Sequence, residues 1–318
     1  MRDSEHPLVT VAIPTYNRAN TYLPQALRSV ISQTYTNIEI LVADNCSTDN
    51  TESVVNAFKD SRIRYVKHNK NIGPFHNANF CIQEASGEFF LMLQDDDLID
   101  HDMIETCLKA VKYACADIGV IRTGTRWIGQ DGNLLKEIPN RAGGLSLDGF
   151  FLAIFAGKTP TYLCSTVFHT KRLQEIGGFR SKHCLFYDVM ATVKLAAKYG
   201  REDIHDIKAS NRKHASELTW STTIQGWCED SLDLLDMMCE LASENKAVIR
   251  AEGMRALSEY NYGLTEKIAS PMKRLWTYWV VFQKFQCKYL PPPVRSFVFN
   301  NPVYRGARYV KRKMTQYC

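Results

Sequence analysis

The chain has 318 residues, 45% hydrophobic and 23% charged, with a formal net charge of +5. That length suffices for one large domain or two smaller ones with a sizeable core, and the charge is too mild to predict a nucleic-acid partner. No 18-residue apolar run predicts a membrane-spanning helix and Met1–Pro7 lacks an apolar leader, so a cytoplasmic protein is expected. Ten cysteines without a C-x-x-C pair read as reduced core residues rather than a zinc site.

The first half alternates between two periods. Leu8–Ile13 reads as a strand closed by Pro14, and Leu23, Ala26, Leu27, Val30 and Ile31 recur at helical spacing. Ile38–Ala43 is a second buried strand. Ser47 and Asp49 are candidate caps for a helix through Val54, Val55 and Phe58. Arg62–Val66 predicts a short strand, Phe75–Ala85 a helix stopped near Gly87, and Phe89–Leu93 a further strand. Asp100 opens a helix whose face carries Met103, Ile104, Cys107, Leu108 and Val111, and Ile118–Ile121 is extended. This order predicts an α/β fold with a mostly parallel sheet flanked by helices. Residues 122–215 are less regular. Within them a helix is expected over Tyr187–Tyr199, with Gly200 as its stop. From about Gln225 the chain is mainly helical. Aromatics cluster at 276–282 before Pro291–Pro293, and residues 305–313 carry five cations and no acid.

Gln94-Asp95-Asp96-Asp97 follows the apolar run at 88–93. Two unit charges about 6 Å apart repel by about 3 kcal/mol at an effective dielectric near 20. A hard divalent cation relieves that repulsion, and the carboxyl ends of strands are where open α/β sheets bind ligands. The competing role is a helix cap with solvated neighbours. The common nucleotide motifs are absent. No G-x-G follows the first strand, and Gly157-Lys158-Thr159 lacks a P-loop's first glycine, since position 152 is Leu152.

Five segments together resemble family 2 glycosyltransferases of the GT-A fold: Val11–Arg18, Ala43–Asp49, Asn71–Pro74 with Asn77 and Asn79, Ala85–Glu88 followed by Asp95–Asp97, and Ser165–Phe168 with Ile176–Phe179. The resemblance covers roughly residues 8–216. It implies a nucleotide-sugar donor, Mn2+ or Mg2+, and an inverting displacement at the anomeric carbon. On that reading Pro14, Thr15, Tyr16, Asn17, Asp44, Asn45, Asn71, Gly73, Asn77 and Asp95 form the donor site. Asp96 and Asp97 hold the metal and His214 approaches it, while Arg212 and Lys213 offer charge to the diphosphate. Asp188 is the base for the acceptor hydroxyl. Where the family often has a second acid the chain has Asn45, Gln94 stands one place ahead of the acidic run, and Tyr187 replaces a Glu before Asp188.

The reading divides the chain into a donor half (1–122), an acceptor half (123–216) and a mainly helical region with a basic tail (217–318). The acceptor is expected to be a glycan or lipid-linked saccharide and the donor, by preference, a UDP-sugar, because a carboxylate at Asp44 accepts the N3–H of uracil. The pathway expected is bacterial surface polysaccharide synthesis. The aromatic segment and basic arm are a candidate contact with the inner face of a membrane or, for the aromatics, with a second subunit. Two alternatives remain: a degenerate nucleotide-sugar-binding scaffold, and a sugar nucleotidyltransferase. The latter lacks its glycine- and cation-rich loop after the first strand.

Overall fold

A computed structural model describes residues 6–112, 118–214, 223–266, 268–292 and 294–295. The basic run at 305–313, Cys115 and Cys318 lie outside them. In chain order the elements are β1 (Val9–Thr15), α1 (Leu23–Ile31), β2 (Ile38–Asp44), α2 (Thr51–Ala57), β3 (Ile63–Lys67), α3 (Pro74–Glu84), β4 (Phe89–Met92), β5 (Leu98–Ile99) and α4 (Met103–Lys112). There follow β6 (Val120–Ile128), β7 (Leu134–Ile138), α5 (Leu147–Phe155), β8 (Thr166–His169), α6 (Thr170–Glu175), α7 (Tyr187–Tyr199) and β9 (Arg201–Arg212). Helices α8 (Ile224–Leu241), α9 (Lys246–Glu266) and α10 (Pro271–Lys284) end the described chain.

One sheet runs β3-β2-β1-β4-β8-β6-β9-β5, with β7 off this path and paired with β6. Its first four strands are parallel. Both faces are buried there, and the period-2 pleat sends neighbouring residues to opposite layers. Val9, Val11, Ile13, Ile40, Val42, Phe89 and Leu91 face a core shared with α1 and α4. Ala12, Leu41, Ala43, Phe90 and Met92 face a second core with α3, α5 and α7. That alternation explains why these strands were legible as unbroken apolar runs.

The expectation of a mostly parallel sheet holds for that half alone. Strand β8 is antiparallel to both β4 and β6, β7 is antiparallel to β6, and β5 to β9, whereas β6 and β9 are parallel. Strands β7, β8 and β9 and helix α5 were not foreseen. The reason for β9 is plain in its sequence: Arg-Glu-Asp-Ile-His-Asp-Ile-Lys-Ala-Ser-Asn-Arg has no clean alternation, and only its last four residues are buried. Helix α5 has a true cap, Ser146, whose Oγ accepts from Gly149 N at 3.2 Å.

Helices α8–α10 share the second core, through Leu235, Met238, Tyr262, Val281 and Phe285. Asp148 at the start of α5 locks the α8–α9 turn. Its carboxylate accepts from the backbone N–H of Ser243, Glu244 and Asn245, each at 2.8–2.9 Å. The described cysteines are free thiols; Cys81, Cys107, Cys164, Cys228 and Cys239 are buried as core residues, whereas Cys184 and Cys287 are exposed, contrary to expectation.

Two smaller expectations are corrected. Ser47 does not cap α2, whose N-cap position is Asn50. Ser47 Oγ accepts from Asn17 N at 2.9 Å, tying the loop after β2 to the loop after β1, while Asp49 accepts from Ala19 N and from Thr51. Gly87 is no left-handed helix stop either, since α3 ends at Ala85. A Cβ on Gly87 would lie 2.5 Å from Thr10 N and 2.7 Å from Leu8 O. Gly87 permits β4 to enter the sheet against the β1 backbone, and its N–H donates to Thr10 Oγ1 at 2.9 Å. Backbone cannot give way as a side chain can. Gly87→Ala is therefore expected to lower stability by about 2–3 kcal/mol, read as a fall in the urea midpoint at unchanged slope.

Candidate active site

The parallel register sets the site. Thr15 lies opposite Asp44, and Leu93 N bonds Ala12 O at 2.9 Å, so the ends of β1, β2 and β4 open on one edge. Asp95 is half-buried there. Its Oδ2 accepts from Thr15 Oγ1 at 2.7 Å. Burial, and then the charge of Asp96, push its carboxyl up to about 7.

Asp97 turns the other way. It is fully buried. Asn211 Nδ2 donates to both of its oxygens at 3.1 Å, and Arg212 N to one at 2.9 Å. Burial first, and the charge of Asp96 second, raise its carboxyl to about 7. The carboxylate predicted to share the metal with Asp96 is thus spent on clamping β9 to the end of β4. Short strand β5 completes the clamp by pairing Leu98 with Ser210.

The clamp delivers the next three residues. His214 Nε2 lies 2.7 Å from Asp96 Oδ2, with the imidazole nearly buried and Asp96 more open. Arg212 is not free to meet a diphosphate. Its Nε donates to Asp96 O, its Nη1 to the carbonyls of Gly129 and Gln130 and its Nη2 to Gln25 Oε1. Its guanidinium lies 4.5 Å over the Tyr22 ring. It is a buried strut, satisfied by carbonyls. Lys213 lies over the Trp127 and Tyr162 rings at 5.3 and 5.2 Å.

Several expected donor residues hold loops instead of facing open space. Asn17 adopts a left-handed φ of 54°, and its Oδ1 accepts from Thr48 N at 2.8 Å. Asn45 Nδ2 donates to Asn71 Oδ1 at 3.0 Å, and its Oδ1 accepts from Ile72 N at 2.8 Å. Asn71 Oδ1 also takes Gly73 N. Gly73 opens α3 with a φ of 83°, the conformation that favours glycine there. Asn77 is buried, donating to Ala43 O at 2.8 Å and meeting His68 at 2.9 Å. Asp44 is fully enclosed: one oxygen takes the Tyr65 hydroxyl at 2.5 Å and the other Ser47 N at 2.7 Å. Burial, then Asp44, push the Tyr65 hydroxyl well above its usual range. By contrast Tyr16 is exposed, and Pro14 is the strand residue just ahead of Thr15.

Asp188 stands in the first turn of α7, half-buried, with Oδ1 accepting from Val189 N at 2.9 Å. Among the described residues no hydrogen bond links it to the acidic run. Burial raises its carboxyl to about 6. Its surroundings are built from afar. Asn79 on α3 grips Phe179 through both backbone polar atoms. Tyr187 packs on the Phe75 and Phe179 rings. The buried Asp230 of α8 accepts from His183 N and Leu185 N in the loop ahead of α7. Phe186, Trp227 and Tyr260 form a ring cluster with centroids 5.5–5.7 Å apart.

No three His, Cys, Asp or Glu side chains among the described residues converge as a metal cage. Asp96 and His214 supply one oxygen and one nitrogen. That set fits a divalent cation of the Mn2+ or Mg2+ type which completes its shell from phosphate and water.

The sequence profile of glycosyl transferase family 2 matches residues 10–170. The chain belongs to that family. It is 32% identical over 178 residues to a GalNAc(5)-diNAcBac-PP-undecaprenol beta-1,3-glucosyltransferase of Campylobacter jejuni, covering 53% of this chain and 55% of that protein. It is 34% identical over 128 residues to glycosyltransferase GlyG of Streptococcus pneumoniae, covering 40% and 42%. The chain thus spans about half the length of these curated relatives. Among solved structures, Staphylococcus aureus TarS 1–349 superposes with a TM-score of 0.67 at 19% identity, over 87% of this chain and 81% of that one. Mannosyltransferase PcManGT of Pyrobaculum calidifontis, in complex with GDP-Man and Mn2+, gives 0.57 at 17% over 95% and 83%. These likenesses show the GT-A fold, with mixed sheet and C-terminal helices.

The division of labour between adjacent acids is testable. Asp97→Ala orphans Asn211 and the Arg212 N–H, and is expected to cost about 3 kcal/mol or more in chemical denaturation. Asp96→Ala is expected to change stability by under about 1 kcal/mol yet abolish the Mn2+-dependent part of nucleotide binding in titration calorimetry.

Proposed function

We propose that the protein transfers a sugar from a nucleotide-diphosphate-sugar, with UDP-sugars favoured, to a glycan or lipid-linked saccharide, with inversion at the anomeric carbon. The observation that carries this reading is the partly buried Asp96–His214 pair at the end of β4, held in place by the buried Asp97–Asn211–Arg212 clamp. TarS has been solved in complex with UDP-GlcNAc, which supports the donor class. The undecaprenol-linked substrate in the name of the Campylobacter relative supports the acceptor class and a role in surface polysaccharide synthesis.

On this reading the nucleoside lies over Thr15, Tyr16 and Asp95. Asp95 receives the ribose, and Asp44 sets the floor through Tyr65 and Ser47. Asp96 and His214 hold Mn2+ or Mg2+, which when bound supplies Lewis-acid stabilisation of the leaving diphosphate. Asp188 takes the proton of the acceptor hydroxyl as that oxygen attacks the anomeric carbon and the C–O bond to the diphosphate breaks. Its raised pKa makes it a stronger base than a solvated carboxylate while leaving it ionised at neutral pH. The Phe186–Trp227–Tyr260 cluster beside it offers apolar faces to a sugar ring.

Donor class is read by thermal shift: with Mn2+ present, one nucleotide class is expected to stabilise the fold by about 2.7 kcal/mol at a hundredfold excess over Kd. The absence of any response to UDP-, GDP-, TDP- or CMP-sugars would favour the non-catalytic scaffold.

Asp188 carries a signed prediction in pH. A base ionising near pH 6 gives a rate that climbs through pH 6 and is flat above it. Asp188→Asn is expected to lower kcat by on the order of 10²–10⁴ with donor binding intact. The raised carboxyl also means that the folded state holds its proton more tightly than the unfolded chain. Stability therefore falls as pH rises from the unfolded value to about 6 and stays lower above. Asp188→Asn is accordingly expected to be more stable than wild type at pH 8, by on the order of 1–2 kcal/mol, measured by urea denaturation at both pH extremes.

A further inference from the structure

The charge of this chain is divided. Residues 267–318 contain eleven Lys and Arg and no Asp or Glu, against totals of 39 and 34, so the first 266 residues carry a net −6. The described start of that basic segment is α10, an amphipathic helix of reversed polarity. Its inner face, Thr277, Tyr278, Val281 and Phe285, is buried against α8 and α9. On the other face Met272, Leu275, Trp276 and Trp279 are 78%, 63%, 59% and 53% exposed. Positions i, i+3, i+4 and i+7 make one continuous stripe. Leu290 and Val294 extend the exposed apolar surface past the helix end. Exposed Lys273 and Lys288 flank it. Patches of large apolar side chains left in the open mark interaction surfaces.

We propose that this face of α10 docks the protein on an anionic lipid surface. Tryptophans favour the boundary between headgroups and acyl chains, where their rings are apolar and their N–H remains solvated. A helix that buries such a stripe while cations flank it lies in the plane of the interface. A negatively charged leaflet complements the acid-free segment. The same charge argues against the other occupants. Two copies meeting face to face through this stripe would bring the exposed Lys273 and Lys288 of each against like charge. The chain's own terminal residues 296–318, with five of those cations, add like charge rather than compensate it. The anchor is rigid: Tyr262 packs on Tyr278 at 5.8 Å and donates its hydroxyl to Tyr289 O at 2.7 Å. Lys284 pairs with Glu229, the residue next to the Asp230 that holds the loop before Asp188. Docking through α10 would present that loop at a fixed height over the lipid, and it is independent of glycosyl transfer itself.

The test is co-sedimentation of the full chain with phosphatidylcholine vesicles, with and without phosphatidylglycerol, at low and high salt. Binding is expected only to the anionic vesicles and is expected to weaken with salt. The double variant Trp276→Ser, Trp279→Ser is expected to lower partitioning about tenfold or more, with unchanged melting temperature and nucleotide binding. Three results would each overturn the proposal. One is absence of binding to anionic vesicles. Another is binding that survives the double variant but disappears on truncation after Arg295. The last is a dimer in sedimentation velocity that the double variant dissociates.

Discussion

The fully enclosed carboxylate of Asp97 ties the end of β4 to the end of β9, and the arrangement of the candidate site depends on that tie. That carboxylate is removed from water and satisfied by one side-chain amide and one backbone N–H, both from residues distant in sequence. Burying a charge or its proton without such partners would be strongly unfavourable. The end of β4 and the end of β9 must therefore come together, or both remain unsatisfied. Once they do, Arg212 fills its donors with the carbonyls of Asp96, Gly129 and Gln130, and His214 falls beside Asp96. The more open acid, Asp96, pairs with His214, whereas the buried one next to it is held within the fold.

The same division between support and contact recurs across the donor edge. Asn17, Asn45, Asn71 and Asn77 are amides whose donors and acceptors are spent on neighbouring loops. An amide suits this work because it offers both donor and acceptor without a charge to desolvate. It also explains why Asn at position 45 is tolerated where an acid is common: here the position stitches the Asn71 loop to the end of β2. The residues left facing the opening are few, chiefly Tyr16, Asp95 and Asp96.

The C-terminal helices are part of the catalytic body. Asp148 joins α5 to the α8–α9 turn, and Asp230 joins α8 to the loop before α7. Asp188 is consequently positioned from both sides, by Phe75 through Tyr187 and by α8 through Asp230. Its burial is the physical source of its raised pKa. Whatever the outer face of α10 engages is mechanically continuous with that loop.

Read alone, the chain showed its first four strands and their helices, because burial on two faces writes unbroken apolar runs and the helical faces recur at regular spacing. It showed the acidic run, Tyr187–Tyr199 and the family resemblance, because short motifs survive in order. It did not show β7, β8 or β9, whose polar stretches join the sheet through partners already in place. Nor did it show that Asp97 and Arg212 are structural. Adjacent identical acids differ only in which way the turn after β4 points them, and Asn211 and Arg212 become neighbours of Asp97, as Tyr65 does of Asp44, only through strand pairing across up to 115 residues of chain. Residue type and order settled what chemistry the chain carries. Strand register decided which of those residues is open to a ligand, because hydrogen-bond satisfaction is a property of the folded neighbourhood and not of the sequence position.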